Sequence, residues 1–139
     1  MSVPINLYTS VFERLTGEWD EFGRFDIVSV LSSDGALMVE IDGDRGSGVV
    51  ILPGFYGYRV YDRNDLYRYF QEHGGFVENS GIPGAGLYVS QQSEHLNWAR
   101  QARGIGDLPV DAKNLLIVSS GGVVDIISTD DPIFRLGSI

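Results

Sequence analysis

Apolar and polar residues alternate on both sides of Asp34-Gly35. Phe25, Ile27 and Leu31 mark one run and Leu37, Val39 and Ile41 the other. Period-two spacing around an Asp-Gly pair is a strong hairpin signal, and it predicts strands near 24–31 and 36–41. The glycine-rich stretch Gly43 to Gly48 leads to a third strand at 49–52. Pro53-Gly54 then turns the chain into a fourth at 56–61, giving an antiparallel meander. A short strand follows at Leu87 to Val89. Residues 114–119 are so apolar that they predict a strand buried on both faces, and Gly121-Gly122 turns it into a last strand at 123–128.

The period lengthens to that of a helix in three places. Residues 6–15 carry Leu7, Val11, Phe12 and Leu15, with Asn6 as N-cap and Gly17 as stop. Residues 62–73 follow Asp62 as cap, place Asp65 in the first turn, line Leu66, Tyr69, Phe70 and His73 along one face and end at Gly74-Gly75. Residues 93–103, capped by Ser90 or Ser93, carry Leu96, Ala99 and Arg103 on one stripe and Trp98 and Ala102 on the next. The sum is a single α+β domain over 1–139, a mainly antiparallel sheet of about six strands with two to three helices packed on it. The predicted core is Phe25, Ile27, Leu37, Val39, Ile41, Val50, Leu66, Phe70, Leu96, Leu116, Val118, Val124 and Ile126.

The absence of cysteine removes disulfides, thiolate chemistry and cysteine-held metals, and fits a reducing cytoplasm. The start, Met1 to Asn6, lacks the basic and apolar regions of a signal peptide. No apolar run approaches the ~20 residues that cross a bilayer. A cytoplasmic protein that does not engage membrane is expected.

Charge changes the picture most. Residues 13–44 hold nine acids (Glu13, Glu18, Asp20, Glu21, Asp26, Asp34, Glu40, Asp42, Asp44) against Arg14 and Arg24, or −7 of the chain's net −9. A one-sign surface steers partners of the opposite sign. It argues against nucleic acid and for a basic protein partner, with Glu18, Asp20, Glu21, Asp42 and Asp44 as the first contacts.

Other motifs fail on their chemistry. Asp42-Gly43-Asp44-Arg45-Gly46 resembles the start of a calcium loop, but Gly46 and Pro53 stand where that loop needs oxygen ligands. Gly43 to Gly48 and Gly81 to Gly86 run into strands rather than helices and lack the Gly-Lys-Ser/Thr ending of a phosphate loop. His73 suits a helix C-terminus, and either it or His95 can pair with a carboxylate. No catalytic residue, metal site or cofactor is predicted. Between Phe55 and Phe76 eight aromatic residues are interleaved with Arg59, Arg63 and Arg68. Tyrosine and arginine are enriched at the centres of protein interfaces, and Tyr56, Tyr58 and Tyr61 are candidate apolar anchors there.

A small, acidic, cysteine-free α+β chain without catalytic motifs resembles the immunity proteins of bacterial toxin–immunity systems. Its ending, Asn114 to Ser120 through Val123 to Ser128, is similar to the C-terminal hairpin of such proteins. The resemblance is one of type, and no family site residue transfers. It implies a cytosolic inhibitor that binds and neutralises a cognate toxin domain through its acidic surface. Two alternatives stand beside it: a small-ligand-binding domain or enzyme with a pocket under the Gly81 to Gly86 loop, and a structural subunit of a homo-oligomer, such as a homodimer.

Overall fold

The structure, a computed structural model, describes residues 11–65, 84–103 and 108–137. Within them nine strands form two antiparallel sheets. The strands are Val11–Leu15 (β1), Phe25–Ser33 (β2), Ala36–Gly43 (β3), Gly46–Leu52 (β4), Phe55–Asp62 (β5), Gly86–Gln92 (β6), Lys113–Val118 (β7), Gly122–Ser128 (β8) and Ile133–Leu136 (β9). A 3-10 helix at Glu18–Phe22 links β1 to β2, and the α-helix Glu94–Arg103 (α1) follows β6. The larger sheet has the order β1-β6-β7-β8-β5 and the smaller β2-β3-β4-β9. The chain is thus mainly antiparallel, with two sheets where one was expected and more strands. The expected helix at 62–73 begins at 63–65, which are helical. Its remainder, with Leu66, Phe70 and His73, lies outside the described residues.

The β2–β3 hairpin forms where the alternation predicted it. Asp34 and Gly35 have φ of 52° and 78°, as the two central residues of a type I′ turn require, and Ser33 pairs with Ala36. A β-bulge then corrects the predicted face. Ile27 lies opposite Ile41 but Ser29 lies opposite Glu40, so Val28 is the extra residue. One inserted residue moves every later side chain to the other face. Val30 therefore packs on the core and Leu31 is 43% exposed. The glycine-rich stretch is likewise no loop. Gly43 pairs with Gly46 across a two-residue turn, and β4 starts three residues earlier than the apolar run does. Gly48 in that strand passes under Phe134, where a Cβ atom would lie 2.5 Å from the ring.

Residues 11–15 were expected at the end of a helix and are strand β1 instead; residues 6–10 lie outside the described residues. The helical spacing of Phe12 and Leu15 loses to pairing along β6, where Arg14 lies opposite Tyr88 and Leu15 opposite Leu87. An irregularity between Val11 and Glu13 breaks the alternation that would have marked a strand. Strand β9 went unrecognised because it is four residues long and turns only Phe134 toward the core.

The main core lies between the sheets. Phe25, Leu37, Val39, Ile41, Val50 and Leu52 of the small sheet meet Leu87, Leu115, Ile117, Val124 and Ile126 of the large one. Trp19 and Phe22 of the 3-10 helix close its edge, with the Trp19 indole N–H donating to the Leu15 carbonyl at 3.0 Å. On the other face of the large sheet α1 covers Ile127 with Leu96 and Ala99. Strands β7 and β8 are therefore central within their sheet and covered on both sides, which is why 114–118 and 123–128 are buried throughout.

Two substitutions test this packing in denaturant unfolding. Leu37→Ala removes a fully buried side chain and is expected to cost ~2–5 kcal/mol. Leu31→Ser, beyond the bulge, is expected to change stability by less than ~0.5 kcal/mol. Equal losses from the two would contradict the bulged register.

Candidate functional site

Asp125 is the only charged residue in the apolar run Val123 to Ile127, and it is 1% exposed. Its strand neighbours Val124 and Ile126 face the small sheet, so alternation points its carboxylate to the α1 side. A buried charge is tolerated only when paired and hydrogen-bonded, and here four residues supply donors. His95 of α1 bonds Oδ1 through Nδ1 at 2.7 Å, and the Asn114 amide donates to the same oxygen at 2.5 Å. The Arg59 Nε–H donates to Oδ2 at 2.9 Å and the Tyr61 hydroxyl at 3.4 Å.

A further ring of contacts holds the donors. Asn114 also donates to the Ile126 carbonyl at 3.0 Å and accepts from the Ser93 hydroxyl at 2.8 Å. Ser93 in turn accepts the Leu96 backbone N–H at 3.0 Å, so it is the cap of α1. Arg59 reaches Glu94 at 3.1 Å with its other arm. Among the described residues no buried side-chain nitrogen or oxygen is left without a partner.

Burial alone would raise the Asp125 pKa, but His95, Arg59 and Asn114 together hold it below the ordinary aspartate value. Burial opposes the Arg59 charge too, and Asp125 and Glu94 outweigh it, raising that guanidinium above its ordinary value. The carboxylate is therefore an anion at neutral pH and an acceptor only. It fixes His95 with Nδ1 protonated and directs the other ring nitrogen away from itself.

His95 borders a groove of about 620 Å³ between β5 and α1. Tyr56, Tyr58 and Trp98 are among its lining residues, with Arg59, Glu94 and His95 as its polar members. Trp98 is 59% exposed and Tyr58 41%. Among the described residues no serine, threonine or cysteine is in the groove's lining. Nor do three metal-ligating side chains converge among them.

The residues expected to meet a partner fall in different places. Glu18 and Glu21 project from the 3-10 helix, and Asp42 and Asp44 flank the β3–β4 turn; all four are exposed. The two elements are neighbours, because Gly43 lies against the backbone of Phe22 and Arg24. Asp20 is half-buried, paired with Arg14 at 2.6 Å and bonded to the Gly17 N–H. Tyr56 and Tyr58 line the groove, whereas Tyr61 is half-buried against Phe12, Tyr88 and Val123 with its hydroxyl on Asp125. Residues 81–83 of the Gly81 to Gly86 loop lie outside the described residues, and Gly84, Ala85 and Gly86 are not in the groove's lining.

Sequence reasoning missed Asp125 and Arg59. A signal was present in one case: Asp125 is a lone acid between Val124 and Ile126, both predicted core residues. The partners themselves carried no local mark.

Comparison with protein-family models, with curated proteins and with solved structures gives no match for this chain.

The network predicts a pH dependence. A carboxylate held below its unfolded value contributes stability that is fully present above the unfolded pKa, 3.8. That stability is lost as pH falls through the folded value. Unfolding midpoints measured from pH 7 to 3 should hold steady and then fall below about pH 4. Asp125→Asn should lose roughly 3–5 kcal/mol at neutral pH, because Arg59 and His95 lose their anion, and should fall less steeply in acid. Parallel curves for the two proteins would show that Asp125 does not govern the acid limb.

Proposed function

We propose that this chain is an immunity-type inhibitor that neutralises a basic protein, such as a toxin domain, by docking it on the acidic end of the small sheet. The observation that carries this reading is a like-charge pair. Asp26 and Asp42 lie directly opposite each other on β2 and β3, both exposed. Like charges directly opposite in a ladder destabilise it. Ser47 relieves this in part by donating to Asp42 at 3.1 Å.

Glu18, Glu21 and Asp44 stand at the same end. None of these five acids is in an ion pair among the described residues. Set against Arg24 and Arg45 they leave a net −3. Arg24 is also engaged, donating to the Ser120 hydroxyl at 3.2 Å. A surface that keeps uncompensated repulsion at a stability cost is explained by a partner of opposite sign. Such a partner stabilises the complex and is steered to it. In a toxin acting on nucleic acid, these carboxylates stand where phosphates would bind.

The small-ligand reading is favoured by one observation of its own, the groove beside His95. It belongs to a different face and calls for a different test.

The trade between stability and binding is measurable. Asp26→Asn should stabilise the free chain by ~0.2–1 kcal/mol, read by thermal melts. The same variant, used as bait in the source cell's lysate, should retain less of a stoichiometric basic protein than wild type does. Raising salt from ~0.05 to ~0.3 M should narrow the difference by screening. A variant that melts higher and captures the same protein equally well would remove the acidic end from the interface. Failure of the wild-type bait to retain any basic protein would contradict the inhibitor reading.

A further inference from the structure

A second hollow, of about 350 Å³, lies at the acidic end itself, where the 3-10 helix, the β3–β4 turn and β9 meet. Its lining is Glu18, Glu21, Phe22, Arg45, Phe134 and Leu136. Residues three apart eclipse on a 3-10 helix, so Glu18 and Glu21 stand on one side of theirs. Phe22 ends that helix and meets the Phe134 ring edge-on, with centroids 5.4 Å apart. Phe134 has room there because Gly48 carries no Cβ atom. Leu136 lies on the same side of β9 as Phe134 and is 71% exposed. Arg45 sits in the two-residue turn between Gly43 and Gly46. Among the described residues Glu18, Glu21 and Arg45 form no ion pair with one another or with any other residue.

The lining selects among occupants. Two carboxylates against one guanidinium leave it at −1, and the exposed Asp42 and Asp44 beside Arg45 deepen the negative field. An acidic side chain entering here gains Arg45 and is repelled by four carboxylates. A purely apolar one fits Phe22, Phe134 and Leu136, yet strips water from Glu18 and Glu21 and returns no donor. A long basic side chain satisfies both halves, its methylene stem on the apolar floor and its charged head on the glutamates. Arginine does so better than lysine, because its planar head bonds carboxylates in pairs and stacks on rings. Small-molecule sites run from ~300 to 1,000 Å³, and a hollow at the low end suits a single side chain.

We infer that this hollow is the socket for one arginine side chain of the basic partner, with its stem on Phe22, Phe134 and Leu136 and its guanidinium between Glu18 and Glu21. The inference rests on the inhibitor reading for its occupant. It adds a residue type and an apolar half to a contact otherwise argued from charge alone. Leu136, an exposed leucine at the end of a four-residue edge strand, then has a role that solvent does not give it. Arg45 opposes the occupant, so its removal should tighten binding.

The N-acetyl methylamides of arginine, lysine, norleucine and glutamate are titrated into the full chain at constant ionic strength. The Leu136 methyl resonances report, and those of Leu96, buried beneath α1 on the far face, serve as reference. A saturable shift at Leu136 is expected with the arginine probe, several-fold tighter than with lysine and about tenfold tighter than with norleucine or glutamate. Leu136→Ser, Arg45→Gln and the double variant Glu18→Gln with Glu21→Gln alter exposed residues and should melt like wild type. The first and third should weaken the arginine probe several-fold, and the second should strengthen it. No saturable shift, equal binding of norleucine, tighter binding of glutamate, or undiminished affinity in the double variant would each overturn the socket. The partner protein separates this inference from the reading beneath it. Leu136→Ser keeps the net charge, so a captured basic protein should leave it several-fold faster than it leaves wild type. Equal dissociation would overturn the socket and leave the inhibitor reading standing. A wild-type bait that retains no basic protein would overturn the inhibitor reading, and with it the partner's arginine as occupant, even where the free probe binds.

Discussion

One buried carboxylate sets the arrangement of the large sheet's outer face. Asp125 stands in the interior strand β8, buried where water does not solvate it, so its charge must be met by protein donors. They come from three other elements: His95 from α1, Asn114 from β7, and Arg59 and Tyr61 from β5. Each element is thereby held to β8 by a directional bond as well as by apolar contact. Moving α1 would take the His95 bond from Asp125 and the Ser93 hydroxyl from the Asn114 side-chain oxygen together, because Ser93 caps the helix and also bonds Asn114. The placement of the groove follows, since its two walls are α1 and β5.

The interior and the surface treat carboxylates in opposite ways. Asp125 is surrounded by donors to the point that no buried polar atom among the described residues is unmet. At the acidic end Asp26 faces Asp42 with no cation between them. Magnitudes separate the two cases. Stripping the partners from a buried ion costs ~3–5 kcal/mol, a large share of a domain's stability. A surface like-charge pair costs under ~1 kcal/mol, which a fold can carry where binding requires it. The first arrangement is the one a structure needs, and the second is the one the proposed partner would explain.

The sequence revealed elements whose causes are local. Asp34-Gly35 marked the β2–β3 hairpin because only a turn with two positive φ values uses that pair well. The apolar run at 114–119 marked β7 as a strand covered on both faces, and of the two serines that could cap α1, Ser90 and Ser93, the structure uses Ser93. Elements with distant causes stayed hidden. Strand β1 is a strand because β6 lies beside it, more than 70 residues away in the chain. The Val28 bulge, which turns Leu31 outward, has no composition mark. The division into two sheets depends on which edges the later strands choose: β9 joins β4, while β5 joins β8. The site divides the same way. Asp125 was visible only as a lone acid between the predicted core residues Val124 and Ile126. His95, Arg59 and Asn114 lie 30, 66 and 11 residues from it and could be assigned only once the strands were aligned.

The central functional claim is that exposed, unpaired carboxylates at the small sheet's end form the contact surface. Amide hydrogen exchange across the chain, with and without the captured basic protein, tests it most directly. The account predicts slowed exchange over 18–26 and 40–47 when the partner binds. Unchanged exchange in both segments, with protection elsewhere, would contradict it.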